Sequence, residues 1–173
     1  ARIYLADEFP KEYRNRIVMS NIHEHAVLTD ILEPKGSGFV GHHGDETMLA
    51  NDNAWVGFSV ETGPDGAVYV LDWHDSDICG TAIHNKDTGR IWRLAPKGLP
   101  GKFGFDLAAK SDIQLVGLLT DRNDWYSRRA RVLLQHRADA GKLNPAVPAK
   151  LWDLYKESKT PAHQLRALWA LHV

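Results

Sequence analysis

The stretch "GPDGAVYVLDWHDSDICG", residues 63–80, opens as a hairpin and closes on a cluster of groups able to do chemistry. Asp65-Gly66 is a strong turn signal, because glycine accepts the positive φ that primed hairpin turns demand. A strand is expected from Gly66. Ala67, Tyr69 and Leu71 alternate with Val68 and Val70, so both faces are apolar and the strand reads as buried between sheets rather than half exposed. At its end Asp72, Trp73, His74, Asp75 and Asp77 leave the apolar run together, where a loop carrying function would start.

Upstream and just downstream of this stretch the signals stay those of strands. "RIYLA", "NRIVMSN", "AVLTDIL", "GSGFVGHH", "ETMLA", "WVGFSVE", "AVYVLDW" and "GRIWRLA" are short apolar runs separated by Gly, Pro, Asn and Asp. Such spacing predicts an all-β sandwich, barrel or propeller. Only "PKEYRNR" suggests a helical turn.

From Ser111 the period becomes helical. Val147, Leu151, Leu154 and Tyr155 share one face, as do Leu165, Leu168, Trp169 and His172. Asn123 or Asp124 can cap the segment starting at Trp125, and Thr160 before Pro161 is a cap with proline at the first helical position. Four helices are predicted near 111–120, 125–137, 147–157 and 161–172. Leu118-Leu119 against Leu154-Tyr155, and Leu133-Leu134 against Leu168-Trp169, recur at about 35 to 36 positions, which suggests two HEAT-like helix pairs. "KGLPGKFGFDLAAK", residues 97–110, reads as the linker between a β part at 1–96 and helices at 111–173.

The chain has 173 residues, 43% hydrophobic and 25% charged, as expected of globular protein. A net charge of −1 and a pI near 6.8 give no electrostatic reason to expect nucleic acid or an anionic membrane surface. No apolar run approaches a membrane span. The one cysteine, Cys79, cannot form an internal disulfide, a thiolate zinc cage or the C-x-x-C-H run that attaches haem, so no haem site is expected in this segment. It reads as a buried thiol. An opening without Met and a helical close without a terminator are read as an internal piece of a longer polypeptide.

Three constellations carry candidate chemistry. His23 and His25, two apart on an expected strand, would share a face and reach one metal ion, with a third ligand from His42, His43, Asp45 or Glu46. The alternative is a set of turn residues with local hydrogen bonds. Asp72, His74 and Asp75 form the second, with Trp73, His84, Asp87 and Arg90 close in sequence; a carboxylate beside His can orient an imidazole for proton abstraction from an alcohol. Against this, Asp at strand ends caps turns, and Arg90 could latch Asp72. Arg128, Arg129 and Arg131 make a basic helix face, read as a salt-bridge network rather than a phosphate site.

"FPKEYRNRIVMSNIHEHAV", "GPDGAVYVLDWHD", "HNKDTGRIWRL" and "NDWYSRRARVLLQHR", in this order, resemble the membrane-bound dehydrogenase family of bacterial proteins, the haem-binding C-x-x-C-H proteins of the PVC type. In that family a β-propeller similar to quinoprotein glucose and sorbosone dehydrogenases precedes HEAT-like helices and often a cytochrome c module. The resemblance implies terminal β-propeller blades followed by an α-solenoid, a periplasmic or cell-surface location and a sugar or polyol substrate. It also implies pyrroloquinoline quinone (PQQ) and calcium held mainly by absent blades, and inactivity of this segment alone. The strand before "GPDG" reads "WVGFSVE" and lacks the arginine that such dehydrogenases carry there. A non-catalytic scaffold binding a glycan or protein is the competing reading.

Overall fold

Strands separated by turns fill the first hundred residues. In the computed structural model, which describes residues 1–77, 80, 82–84 and 86–172, β1 (Arg2–Ile3), β2 (Ile17–Asn21), β3 (Ala26–Lys35) and β4 (Gly38–Leu49) form one antiparallel sheet in that order. β5 (Gly57–Thr62), β6 (Val68–Asp72) and β7 (Arg90–Leu94) form a second. Both belong to one unit, Ala1–Gly101; a second unit, Lys102–Val173, holds the helices.

The propeller reading is overturned by this arrangement. Two small antiparallel sheets, of four and three strands, stand where terminal propeller blades were expected, and no closed ring forms among the described residues. Evenly spaced short strands with turn residues between them are shared by every antiparallel meander, so the spacing alone could not select a propeller. "GSGFVGHH" and "ETMLA" are moreover one strand, β4. The expected order of strands before helices does hold.

The two sheets share a core. Tyr4, Val18 and Val27 meet Trp55, Val60, Val68 and Val70, all nearly or fully buried. Each large side chain removed from water here contributes about 1.5–3 kcal/mol. Tyr4 is also polar glue: its hydroxyl donates to the carbonyl of Gly66 at 2.9 Å and accepts from Phe9 N–H. Burial pushes its phenol up to about 12. The turn it grips is the one expected at Asp65-Gly66. Gly66 has φ +72°, a backbone conformation that favours glycine.

β6 itself departs from expectation. Val68, Val70 and Asp72 face inward, while Tyr69 is half-buried and Leu71 is 38% exposed, so only one face is covered. Its outer face is partly open to solvent.

The four expected helices are present, but the last one buries Arg166, Ala167 and Ala170, while Leu165, Leu168, Trp169 and His172, the face its spacing picked out, are exposed. α1 (Asp112–Gly117) runs into a 3-10 turn at Leu118–Thr120, then come α2 (Asp124–Asp139), α3 (Val147–Glu157) and α4 (Pro161–Leu171). Ser111 and Gln114 form a capping box, Asn123 accepts from Trp125 N–H, and Thr160 accepts from His163 N–H ahead of Pro161. Leu115, Leu119, Leu134, Val147 and Leu151 close one core. The HEAT-like solenoid label is replaced by a single four-helix unit. Half of the expected linker is packed: Leu107 is buried, Phe105 lies edge-on to Trp125, and Arg137 donates to the carbonyls of Ala108 and Lys110. Among the described residues no helix is long and apolar enough to cross a membrane.

Candidate functional site

Asp72 ends β6 with its side chain wholly enclosed. One carboxylate oxygen accepts from the N–H groups of Val56 and His74 at 2.8 and 2.9 Å; the other accepts from Arg90 Nε and Trp92 Nε1, both at 2.9 Å. Four donors from three chain segments therefore fill it. This is the latch that the pairing of Arg90 with Asp72 suggested, and it leaves no lone pair facing a substrate.

Arg90 reaches further, donating from Nη2 to Asp52 at 2.8 Å, and its guanidinium lies 5.1 Å from the Trp92 ring centre. The Arg90 hydrogen bond holds the Asp52 carboxyl below the usual range, and that same bond raises Arg90. His74, at φ +57°, is clamped between Thr88 Oγ1 (2.6 Å from Nδ1) and Asp52 (3.3 Å from Nε2). Asp75 is buried and shapes the next turn by accepting from the N–H groups of Asp77 and His84. The N–H of Asp77 that donates to it holds its carboxyl below the usual range.

His84 and Asp87 are exposed, with the His84 ring 3.8 Å from Asp77. Trp73 is 52% exposed and meets Phe58 edge to face at 6.3 Å between centroids. The two aromatics wall an open groove of about 420 Å³ over β5–β7, completed by Leu71, Asp72, Ile83, Lys86, Gly89, Arg90 and Ile91. Of the expected site residues, Trp73 and Arg90 therefore reach the groove with side chains, while Asp72 and Asp75 brace the loops beneath it.

Phe58 escapes sequence reasoning for a physical reason. It has the same parity as the buried Val56 and Val60, and simple alternation would put it inside. The ladder shifts between Gly57 and Ser59, a β-bulge that turns Phe58 outward. Gly57 permits the shift, since a Cβ there would strike the Trp55 ring and Val70.

His23 and His25 lie in the turn between β2 and β3 rather than on a strand, so strand alternation does not align them. Asn21 Oδ1 accepts from His23 and Glu24 N–H, and His25 Nδ1 lies 2.8 Å from the Trp55 carbonyl oxygen. His42 faces Glu33 and His43 faces Asp30 across β3–β4, and Asp45 takes Arg16. Among the described residues no three His, Cys, Asp or Glu gather as a metal-holding group. Calcium needs six to eight oxygens, and the enclosed oxygens of Asp72 and Asp75 already hold N–H donors. Neither Asp72 nor Asp75 therefore offers a free carboxylate oxygen to calcium. The expected Arg128–Arg131 network is realised in part: Arg128 pairs with Asp124, while Arg129 and Arg131 lie over Trp125 and Trp169. Cys79, read as buried, lies outside the described residues.

Residues 1–98 match a family described as a domain of unknown function, DUF7133. No curated protein and no solved structure matches the chain.

Proposed function

We propose that this chain, which belongs to the DUF7133 family, is a non-catalytic sugar-binding module whose ligand lies in the groove over β5–β7. The observation that carries the reading is the groove itself: two exposed aromatics, Trp73 and Phe58, beside the cations of Lys86 and Arg90. A pyranose or polyol has one face of C–H groups and an edge of hydroxyls. The first stacks on an indole and the second needs donors at the rim, and both partners are present. A volume of about 420 Å³ falls in the range of small-ligand pockets. A periplasmic or cell-surface setting suits such a ligand.

Oxidation of the sugar by this chain has weaker support, because proton abstraction needs a base in reach of the hydroxyl. The filled carboxylates of Asp72 and Asp75 offer none, and His74 is held on both ring nitrogens. Dye reduction by this chain with added quinone and calcium is expected to be blank; turnover would overturn the non-catalytic reading. A protein partner is the second reading, favoured by the exposure of Leu71, Ile83 and Ile91 on the same face.

Calorimetric titration with neutral and acidic oligosaccharides tests the proposal. Saturable binding is expected, weakened about tenfold or more in Trp73→Ala, a 1.4 kcal/mol loss. Binding to no sugar, or binding indifferent to Trp73, would refute it.

A further inference from the structure

The unit that carries the groove is acidic: residues 1–101 hold fifteen Asp and Glu against nine Lys and Arg. The groove departs from that balance. Among the described residues, the charged groups that line it are Asp72, Lys86 and Arg90, and the Asp72 side chain is wholly enclosed. The charges the groove shows to solvent are therefore both positive. Asp87, next in sequence to Lys86, is exposed but lies outside the lining.

The two cations are not equivalent. Arg90 commits Nε to Asp72 and Nη2 to Asp52 and Asp72, so two carboxylates already answer its charge. Lys86 is exposed and pairs with no carboxylate among the described residues, which leaves all three donors of its ammonium to a ligand. The aromatic faces beside it are free in the same sense. Trp92, Trp125 and Trp169 each lie under an arginine, whereas among the described residues no cation covers Trp73 or Phe58.

We propose that the ligand of this groove is an anionic saccharide, one whose sugar edge carries a carboxylate or a sulfate ester, and that Lys86 is the residue that selects it; the inference rests on the sugar-binding reading above. Stacking on Trp73 and Phe58 does not discriminate, since any pyranose offers a face of C–H groups. Discrimination falls to the rim. A neutral sugar laid against Lys86 takes water from an ammonium and returns only hydroxyl oxygens, whereas an anionic edge returns an ion pair in a partly desolvated place, where Coulomb attraction is stronger than in water. In a unit with so many carboxylates, cations gathered at one groove direct an anion there.

Calorimetric titration of the full chain with two matched pairs tests this: an oligogalacturonate against its methyl ester, and a sulfated galactan oligosaccharide against its desulfated form. The anionic member of at least one pair is expected to bind about tenfold tighter than its neutral partner, and the pair that shows the preference identifies the anion. That preference should shrink as ionic strength rises. Lys86→Met keeps the apolar stem and loses the charge, so it should abolish the preference, while Lys86→Arg should retain it. Trp73→Ala should instead weaken both members of a pair alike. Circular dichroism establishes that each variant is folded. Equal binding of charged and neutral members by the parent chain, or a preference that survives in Lys86→Met, would overturn this inference and leave sugar binding standing. Binding of none of the four would overturn the sugar-binding reading and this inference with it.

Discussion

Both units bury aspartates and hold them with arginines, yet they place these pairs to different ends. In the β unit Asp72 takes Arg90 and Asp65 takes Arg93, each across neighbouring strands at the ends of β6. In the helical unit Asp112 takes Arg137 and Asp124 takes Arg166, each joining the first turn of one helix to another helix. The helical pairs help fix helix starts and packing. The strand pairs fix turns and strand ends, and the segment fixed by Asp72 carries the exposed Trp73 of the groove. A charge pair in this protein stabilises a core in one unit and shapes a surface in the other.

The comparison can be broken at its base by removing the β core alone. Trp55 is fully buried, and Trp55→Ala should cost about 3–5 kcal/mol. Urea unfolding followed by helical ellipticity and by aromatic signals should then separate into two transitions. A single shifted transition would show that the units do not fold independently.

Asp72→Ala against Asp124→Ala sharpens it next. The first strands Val56 N–H, Trp92 Nε1 and Arg90 together, and should cost about 3 kcal/mol or more. The second leaves Arg166 with the carbonyls of Leu119 and Asp121, and should cost about 2 kcal/mol. Equal losses in denaturant midpoints would remove the distinction.

Acid should reach both units. Burial alone would raise the carboxyls of Asp65, Asp112 and Asp124, but Arg93, Arg137 and Arg128 respectively, with further donors, hold all three below the usual range. A carboxyl lowered by folding contributes stability above its unfolded value, about 3.9, and that contribution is lost as pH falls through the folded value. Denaturant midpoints should therefore be flat near neutrality on this account and fall below about pH 4. Removal of Asp65 should flatten the fall in the β unit only. The smallest effects belong to the caps: Asn123→Ala and Thr160→Ala should each cost about 1 kcal/mol, confined to the helical transition.

The helices were readable because each signal was local. Periods of three and four, Asn123 and Thr160 as caps and Pro161 at the first position all act within one turn of chain. The strands were readable as strands, and the Asp65-Gly66 turn as a turn, on similarly local grounds. Their assembly was not, since spacing fits a propeller and an open pair of sheets alike. The site divided in the same way. Trp73 was found because it follows the buried run, and Arg90 as a charge close enough in sequence to latch Asp72. Phe58 depends on a bulge, and Asp52 and Thr88 reach His74 from loops distant in sequence.

One carboxylate ties the chain at Val56, at His74 and at Arg90 with Trp92. The amides of Val56 and His74 lie outside the strand ladders, in segments that would ordinarily exchange their protons with solvent within the fastest class. Because neither can reach water without dismantling the whole knot at Asp72, both should exchange on the timescale of global opening, as slowly as amides in the middle of β6.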